Sequence, residues 1–368
     1  MGDFSINREN AGMRVLVRYI FKEVLKGAFV ALLVLTTLVC LFTLKDQMGD
    51  VGKGSYDMNH VFMYLGLLTP LYIYELMPSA ALLGSLFVLG NMANNREIIA
   101  MRISGFSIID ILKAVWLAGI FLALVAVAIG EFIAPGTEKQ ARLMKEEATN
   151  ESRVMSTLYG LWLRDGNTFV NVIQIAGEGL VNDLTLYEYD KSRKLRFVKH
   201  AQQAIYLEDE KKWVLQNIKQ TEITPTQVIA TKKVMEDWTS KIDPNLMNIV
   251  VIKPDNMPLK DLSSYIKFLK ENNQQSKKYE LAFWRRIVKP IVTFVMLLVS
   301  VPFVIGVRRG VSLGARMMVG ALLGMGFNII DKMTGNLALA YDLNPMIMAA
   351  LPSSLVLMVA AFAIIRLR

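Results

Sequence analysis

VLKGAFVALLVLTTLVCLFTL, residues 24–44, decides what kind of protein this is. Lys26 is its only charged residue. A hydrocarbon core about 30 Å thick takes about 20 apolar residues at about 1.5 Å each, so the segment is long enough to cross a bilayer. Comparable runs lie at 61–89, 108–134, 287–306, 313–334 and 345–365, gathered at the two ends of the chain. The overall hydrophobic content of 53% is only modestly above that of a soluble chain, so the distribution carries the reading. The expected fold is an α-helical membrane protein with six transmembrane helices, three at each end, around an inserted all-β domain. The second run is too long for one straight crossing, and Pro70 and Pro78 are expected to break or kink it. The third ends at Pro135. The first run is too long for a removable signal peptide and lacks a small-residue cleavage site, so it reads as an uncleaved signal-anchor. Cys40, the single cysteine, lies inside it, which excludes an intrachain disulfide framework and a cysteine-built zinc site.

Lysine and arginine set the orientation. With the N-terminus in the cytosol, that edge holds Arg8, Arg14, Arg18, Lys22, Lys26, Arg96, Arg102, Lys113, Arg308, Arg309, Arg316, Arg366 and Arg368. Only Asp3, Glu9, Glu23, Glu97 and Asp110 oppose them. The excess accounts for nearly all of the net charge of +9. Both termini are therefore expected inside, and the basic surplus reads as a topology signal instead of a nucleic-acid footprint.

The chain divides into residues 1–135, 136–286 and 287–368. The middle segment carries 24 basic and 20 acidic side chains, which marks it as water-exposed. It opens with a charged helical stretch, Glu138 to Arg153. Short β-type runs follow at Leu158–Arg164, Thr168–Ile175, Leu180–Tyr189, Ala201–Glu208, Trp213–Thr224 and Val228–Trp238. Leu184/Leu186 and Ile205/Leu207 alternate as in half-buried strands. Asp165-Gly166-Asn167 reads as a hairpin turn with positive φ at Gly and Asn. An antiparallel sandwich or jelly-roll is expected, ahead of an amphipathic helix with Leu262, Ile266 and Leu269 on one face.

Chemistry is sparse. No G-x-x-x-x-G-K-[ST] phosphate loop is present, so ATP hydrolysis by that route is excluded. His60 and His200 lack metal-ligand spacing and read as surface residues. The intramembrane carboxylates Glu75, Glu131 and Asp331 are costly in hydrocarbon and so are functional candidates. Glu131 and Asp331 are equally read as hydrated residues near the outer interface, whereas Glu75, beside the prolines, is expected to face protein or a polar cavity. A lipid-modifying enzyme built on Glu75 and Asp331 is the alternative from another class.

Between the second and third spans, residues 91–104 read as a short helix with Arg96, Glu97 and Arg102 exposed and Ile99 and Ile103 apolar, ended by Gly105. Two readings stand side by side. One is an interfacial helix on lipid headgroups; the other is a lever inserted into a cytosolic motor.

NREIIAMRISGFS at 95–107, GEFIAP at 130–135 followed by EKQAR, GLWLRDGNTFV at 160–170, KGSYD at 53–57 and FWRRIVKP at 283–290 carry a resemblance. Together with the helix–β–helix layout, they make the chain similar throughout its length to the LptF/LptG permeases. These are the paired membrane subunits of the lipopolysaccharide-transport ABC exporter of Gram-negative bacteria.

The resemblance implies a non-catalytic permease in the inner membrane, with its large domain periplasmic. Its partners would be a second, LptF-like permease, an LptB ATPase dimer, LptC and a periplasmic LptA bridge, with lipopolysaccharide as substrate. The chain itself would bind no cofactor, ATP and Mg being used by LptB. Glu97 matches the acidic coupling-helix residue, and Arg96, Ile98 and Arg102 are expected in the same contact. Basic residues that run against the positive-inside trend are candidates for the lipid phosphates. They are Lys45, Arg142, Arg285, Arg286, Lys289 and Lys332, each equally readable as a snorkelling side chain. The family places phosphate-binding basic residues at the outer end of the first helix, where this chain has Thr43, with Lys45 two residues on.

Overall fold

A computed structural model describes residues 2–149, 161–177, 179–190, 192, 194–240, 242, 244, 254–305 and 313–366. Arg308, Arg309 and Arg368 lie outside the described residues, as do the start of the first expected strand and the end of the Glu138–Arg153 stretch. The chain forms two compact units, one of 1–49, 61–141 and 280–368, the other of 50–60 and 142–279.

The first unit is helical. α1 (Gly2–Met48) runs unbroken through the stretch at 24–44. α2 (Met58–Asn94) is likewise continuous, with Pro70 and Pro78 inside it. The expected break is absent. A proline removes one N–H and frees one carbonyl, a loss that packed neighbours can absorb in a membrane helix. α1 and α2 touch through glycine: a Cβ on Gly84 would strike the backbone of Gly27 and Ala28, and one on Gly27 would strike Gly84. Small residues allow the backbones this approach where no hydrophobic force separates helix from lipid.

α3 (Glu97–Ile103) follows two residues later, then α4 (Ile108–Ala128). Ser107 and Asp110 form a reciprocal capping box at the start of α4. A π-turn, Ile129–Ile133, joins α4 to α5 (Ala134–Ala148), so Pro135 opens a helix instead of ending one.

Near the C-terminus of the chain come α7 (Lys277–Ile305), α8 (Leu313–Ala340) and α9 (Pro345–Arg366). Among the described residues five stretches, in α1, α2, α4–α5, α7 and α9, are long and apolar enough to cross a membrane. α8 matches them in length at 28 residues but carries Arg316, Asp331 and Lys332 along it. The core of the unit gathers Val24, Ala81, Leu82, Val115, Val295 and Leu297 from α1, α2, α4 and α7.

In the second unit the described strands form one antiparallel sheet of sequential neighbours. They are β1 (Leu161–Asp165), β2 (Thr168–Gly177), β3 (Leu180–Tyr189), β4 (Leu195–Leu207), β5 (Lys212–Ile223) and β6 (Val228–Trp238). Of the expected sandwich or jelly-roll, the described residues therefore give a six-stranded meander. Gly166 turns β1 into β2 at φ 58°, while Asn167 is not among the positive-φ residues. Leu163, Val170, Val172, Leu184, Leu186, Leu215 and Ile218 are buried, as alternation predicts. β4 differs: Ala201 and Ala204 are its buried positions, while Leu207 is exposed. Trp213 is fully buried and donates through Nε1 to the Ile242 carbonyl at 2.7 Å. α6 (Leu259–Glu271) buries Leu262, Tyr265, Phe268 and Leu269, with Ile266 only half-buried.

The 50–60 loop belongs to this unit. Ser55 N–H donates to the Ala148 carbonyl at 2.6 Å, and Gly54, at φ 56°, sits where a Cβ would meet the same backbone. Lys145 and Lys53 both donate to the Asp50 carboxylate, at 2.7 and 2.6 Å, and hold it well below the usual range, at about 2. The KGSYD motif thus docks a loop onto the end of α5.

Candidate functional site

Two features stand at opposite ends of the helical unit. The first is a layer of charge where α2, the π-turn, α7 and α8 meet. Arg286, on α7, is only 4% exposed at its side chain. It donates to the Glu131 carboxylate and to the Gly130 carbonyl, both in the π-turn. A π-turn shifts the backbone ladder to i→i+5, and here a guanidinium takes one of its carbonyls. The Tyr74 ring lies 5.5 Å from the Arg286 guanidinium carbon, and the Lys289 ammonium sits over it at 4.1 Å. Gly130 is required here, since a Cβ would strike the Tyr74 ring.

Arg285, one residue earlier, turns toward α8. It donates to the Asp331 carbonyl and lies 3.3 Å from the Asp331 carboxylate. A Cβ at Gly335 would collide with its guanidinium, so glycine leaves room for the pair.

Several sequence candidates thus fall together. Glu131 and Asp331 are both countered by arginine, and Arg285 and Arg286 are engaged within the fold instead of standing as open cations. Lys289 is half-buried on Tyr74, and Lys45 and Lys332 are exposed. Arg142 is half-buried in the second unit. Glu75, adjacent to Tyr74, is exposed on the chain instead of packed inside it. From Tyr74 to the end of α2 is about 20 residues, or about 30 Å, the thickness of a hydrocarbon core. Glu75 therefore sits at the charged layer. The part of α2 before it continues past the layer.

The second feature is the α2–α3–α4 corner. Arg96 links α2 to α3 in the left-handed region at φ 62°, a conformation that costs a non-glycine residue about 1 kcal/mol or more. Gly105, at φ 93°, ends α3, with the Phe106 N–H donating to the Met101 carbonyl at 3.1 Å. Ile98 is buried in the helical core, only 8% exposed, so it anchors the corner and cannot line a contact as expected. Ile99 and Ile103, one turn apart, face outward with Arg96 and Arg102; Ile103 is 82% exposed. Glu97 is half-buried and accepts from the Tyr19 hydroxyl of α1 at 2.9 Å. Among the described residues no cluster of three His, Cys, Asp or Glu side chains could hold a metal.

The model of the lipopolysaccharide export system permease family LptF/LptG matches residues 18–366. The chain belongs to the LptF/LptG family. Two relatives named lipopolysaccharide export system permease protein LptG are similar over nearly its whole length. That of Haemophilus influenzae is 34% identical over 93% of this chain and 96% of its own. That of Escherichia coli K12 is 32% identical over 96% and 98%. The LptF protein of E. coli K12 matches at 30% identity over only 30% of the chain and 31% of its own. Within the LptF/LptG family the likeness is therefore to LptG, and the fold is that of a multi-pass membrane protein with an inserted β domain.

Proposed function

We propose that the chain is the LptG-type permease of a lipopolysaccharide exporter. It would work beside an LptF-like subunit in the bacterial inner membrane, with both termini and α3 cytosolic and the β unit periplasmic. The full-length likeness to LptG proteins, against a partial one to LptF, carries this reading. The structure supports it with a charged layer and an exposed helical corner set about one bilayer core apart.

The chain supplies shape, charge and a lever. ATP and Mg would be consumed by an LptB dimer seated against α3, with Ile99, Ile103, Arg96 and Arg102 as the contact face and Glu97 as its acid. Closure of that dimer would move the corner and drive lipid out of the cavity between the two permeases, toward LptC and the LptA bridge. Lys45, Lys289 and Lys332 are the proposed phosphate ligands, because phosphate oxygens accept strongly from ammonium groups. Arg285 and Arg286 hold the helices that carry Lys289 and Lys332, and Arg142 would act from the periplasmic unit.

Co-purification of the tagged chain with an untagged ATPase and a second permease tests the assembly. Lipopolysaccharide crosslinking from position 45 then tests the substrate. Purified chain that modifies lipid without any ATPase would favour the enzyme reading instead.

A further inference from the structure

We infer that Tyr19 is a positioning residue for Glu97, and that α1 thereby ties the motor contact to the lipid-binding edge. The inference rests on the reading of α3 as the ATPase-docking helix.

Glu97 opens α3, where a carboxylate is favoured by the free N–H groups of the first turn. Its other constraints are weak. α3 has only seven residues, its leading residue Arg96 makes no side-chain cap, and a glutamate carries three rotatable bonds. Left alone, the carboxylate would sample many positions. The Tyr19 phenol removes that freedom by donating to Oε2 at 2.9 Å from a helix 78 residues away in sequence. Among the described residues no other hydrogen bond is made to this carboxylate, and Oε1 is the oxygen assigned here to a cation of the ATPase. One oxygen is held and the other presented, which is how a preorganised contact lowers the cost of docking.

Tyr19 is well placed for this role. Its neighbour Ile20 is 1% exposed and Leu16 is 8% exposed, both in the helical core, so the backbone under the phenol is fixed. Tyr19 itself is 42% exposed, more than a side chain serving the core needs. α1 is one unbroken helix from Gly2 to Met48. Tyr19 and Lys45 ride on it about 39 Å apart at about 1.5 Å per residue. A displacement of Glu97 is passed to α1 at one end of the rod, and Lys45 stands at the other.

The test is a double-mutant cycle on association of the co-expressed cytosolic ATPase with the assembled permease pair in detergent. Tyr19→Phe keeps the ring and removes only the hydroxyl, so a packing role would leave it silent. The expected result is an association weakened about fivefold by Tyr19→Phe in the native background, the scale of one ordinary solvent-accessible hydrogen bond. In the Glu97→Ala background the same change should have no effect. Equal weakening in both backgrounds, no weakening in the native one, or tighter association with Tyr19→Phe would each overturn the role. Glu97→Ala leaving association unchanged would instead sink the docking reading of α3, and the role of Tyr19 with it. Glu97→Ala abolishing association while Tyr19→Phe is silent would sink the Tyr19 inference alone.

Discussion

Arg286 donates to Glu131 from α7 to the π-turn, and the pair sits with its guanidinium almost wholly enclosed. Charges removed from water recover their desolvation cost only with a good partner and further hydrogen bonds, which Gly130 supplies here. Arg286→Ala would take the buried guanidinium away from Glu131 and is expected to cost about 3–5 kcal/mol. The double variant Glu131→Leu with Arg286→Met should recover most of that loss. Tm in detergent, compared across the three variants, measures both.

Gly130→Ala should be destabilising by about 1–3 kcal/mol, because the added methyl group would strike the Tyr74 ring. Adding Tyr74→Leu should relieve the clash, although it removes the ring under Lys289. Unfolding measurements on the single and double variants give the interaction directly.

The Asp50 carboxylate links stability to pH. Lys145 and Lys53 lower its pKa from 3.8 to about 2 in the folded chain. A depressed folded value means that the contribution is complete above 3.8 and disappears as pH falls toward 2. The stability gap between the wild type and Asp50→Asn should therefore be flat above about pH 5 and close through that acid range. A pH series of unfolding curves checks the sign. A gap that opens on acidification would contradict it.

On α3 the two isoleucine positions should separate. Ile103→Asp alters an 82% exposed side chain and should weaken ATPase association by about tenfold, or about 1.4 kcal/mol, with little change in Tm. Ile98→Ala, at a buried position, should lower Tm and act on association only through folding.

Much of this arrangement was legible from local signals. The apolar runs gave the spanning helices because length and hydropathy are properties of the segment itself. Gly105 announced the end of α3 because only glycine takes φ 93° without strain. The charged pairs were not legible. Arg286 meets Glu131 across 155 residues and Arg285 meets Asp331 across 46, and nothing near either arginine names its partner. The sequence therefore offered both arginines as phosphate candidates or snorkelling side chains without naming these carboxylates as their partners. The outward position of Glu75, expected to face protein or a polar cavity, was not legible for a different reason: hydropathy cannot say where a 37-residue helix crosses the charged layer. The π-turn left only Gly130 as a trace, and glycine has too many uses to be decisive.

Photocrosslinking to lipopolysaccharide from position 45, in membranes containing the second permease and the ATPase, tests the central claim most directly. Adducts at 45 that change in yield on ATP addition, with none from position 103, are the predicted result. Adducts from 103, or none from 45, 289 and 332 in an assembled complex, would contradict it.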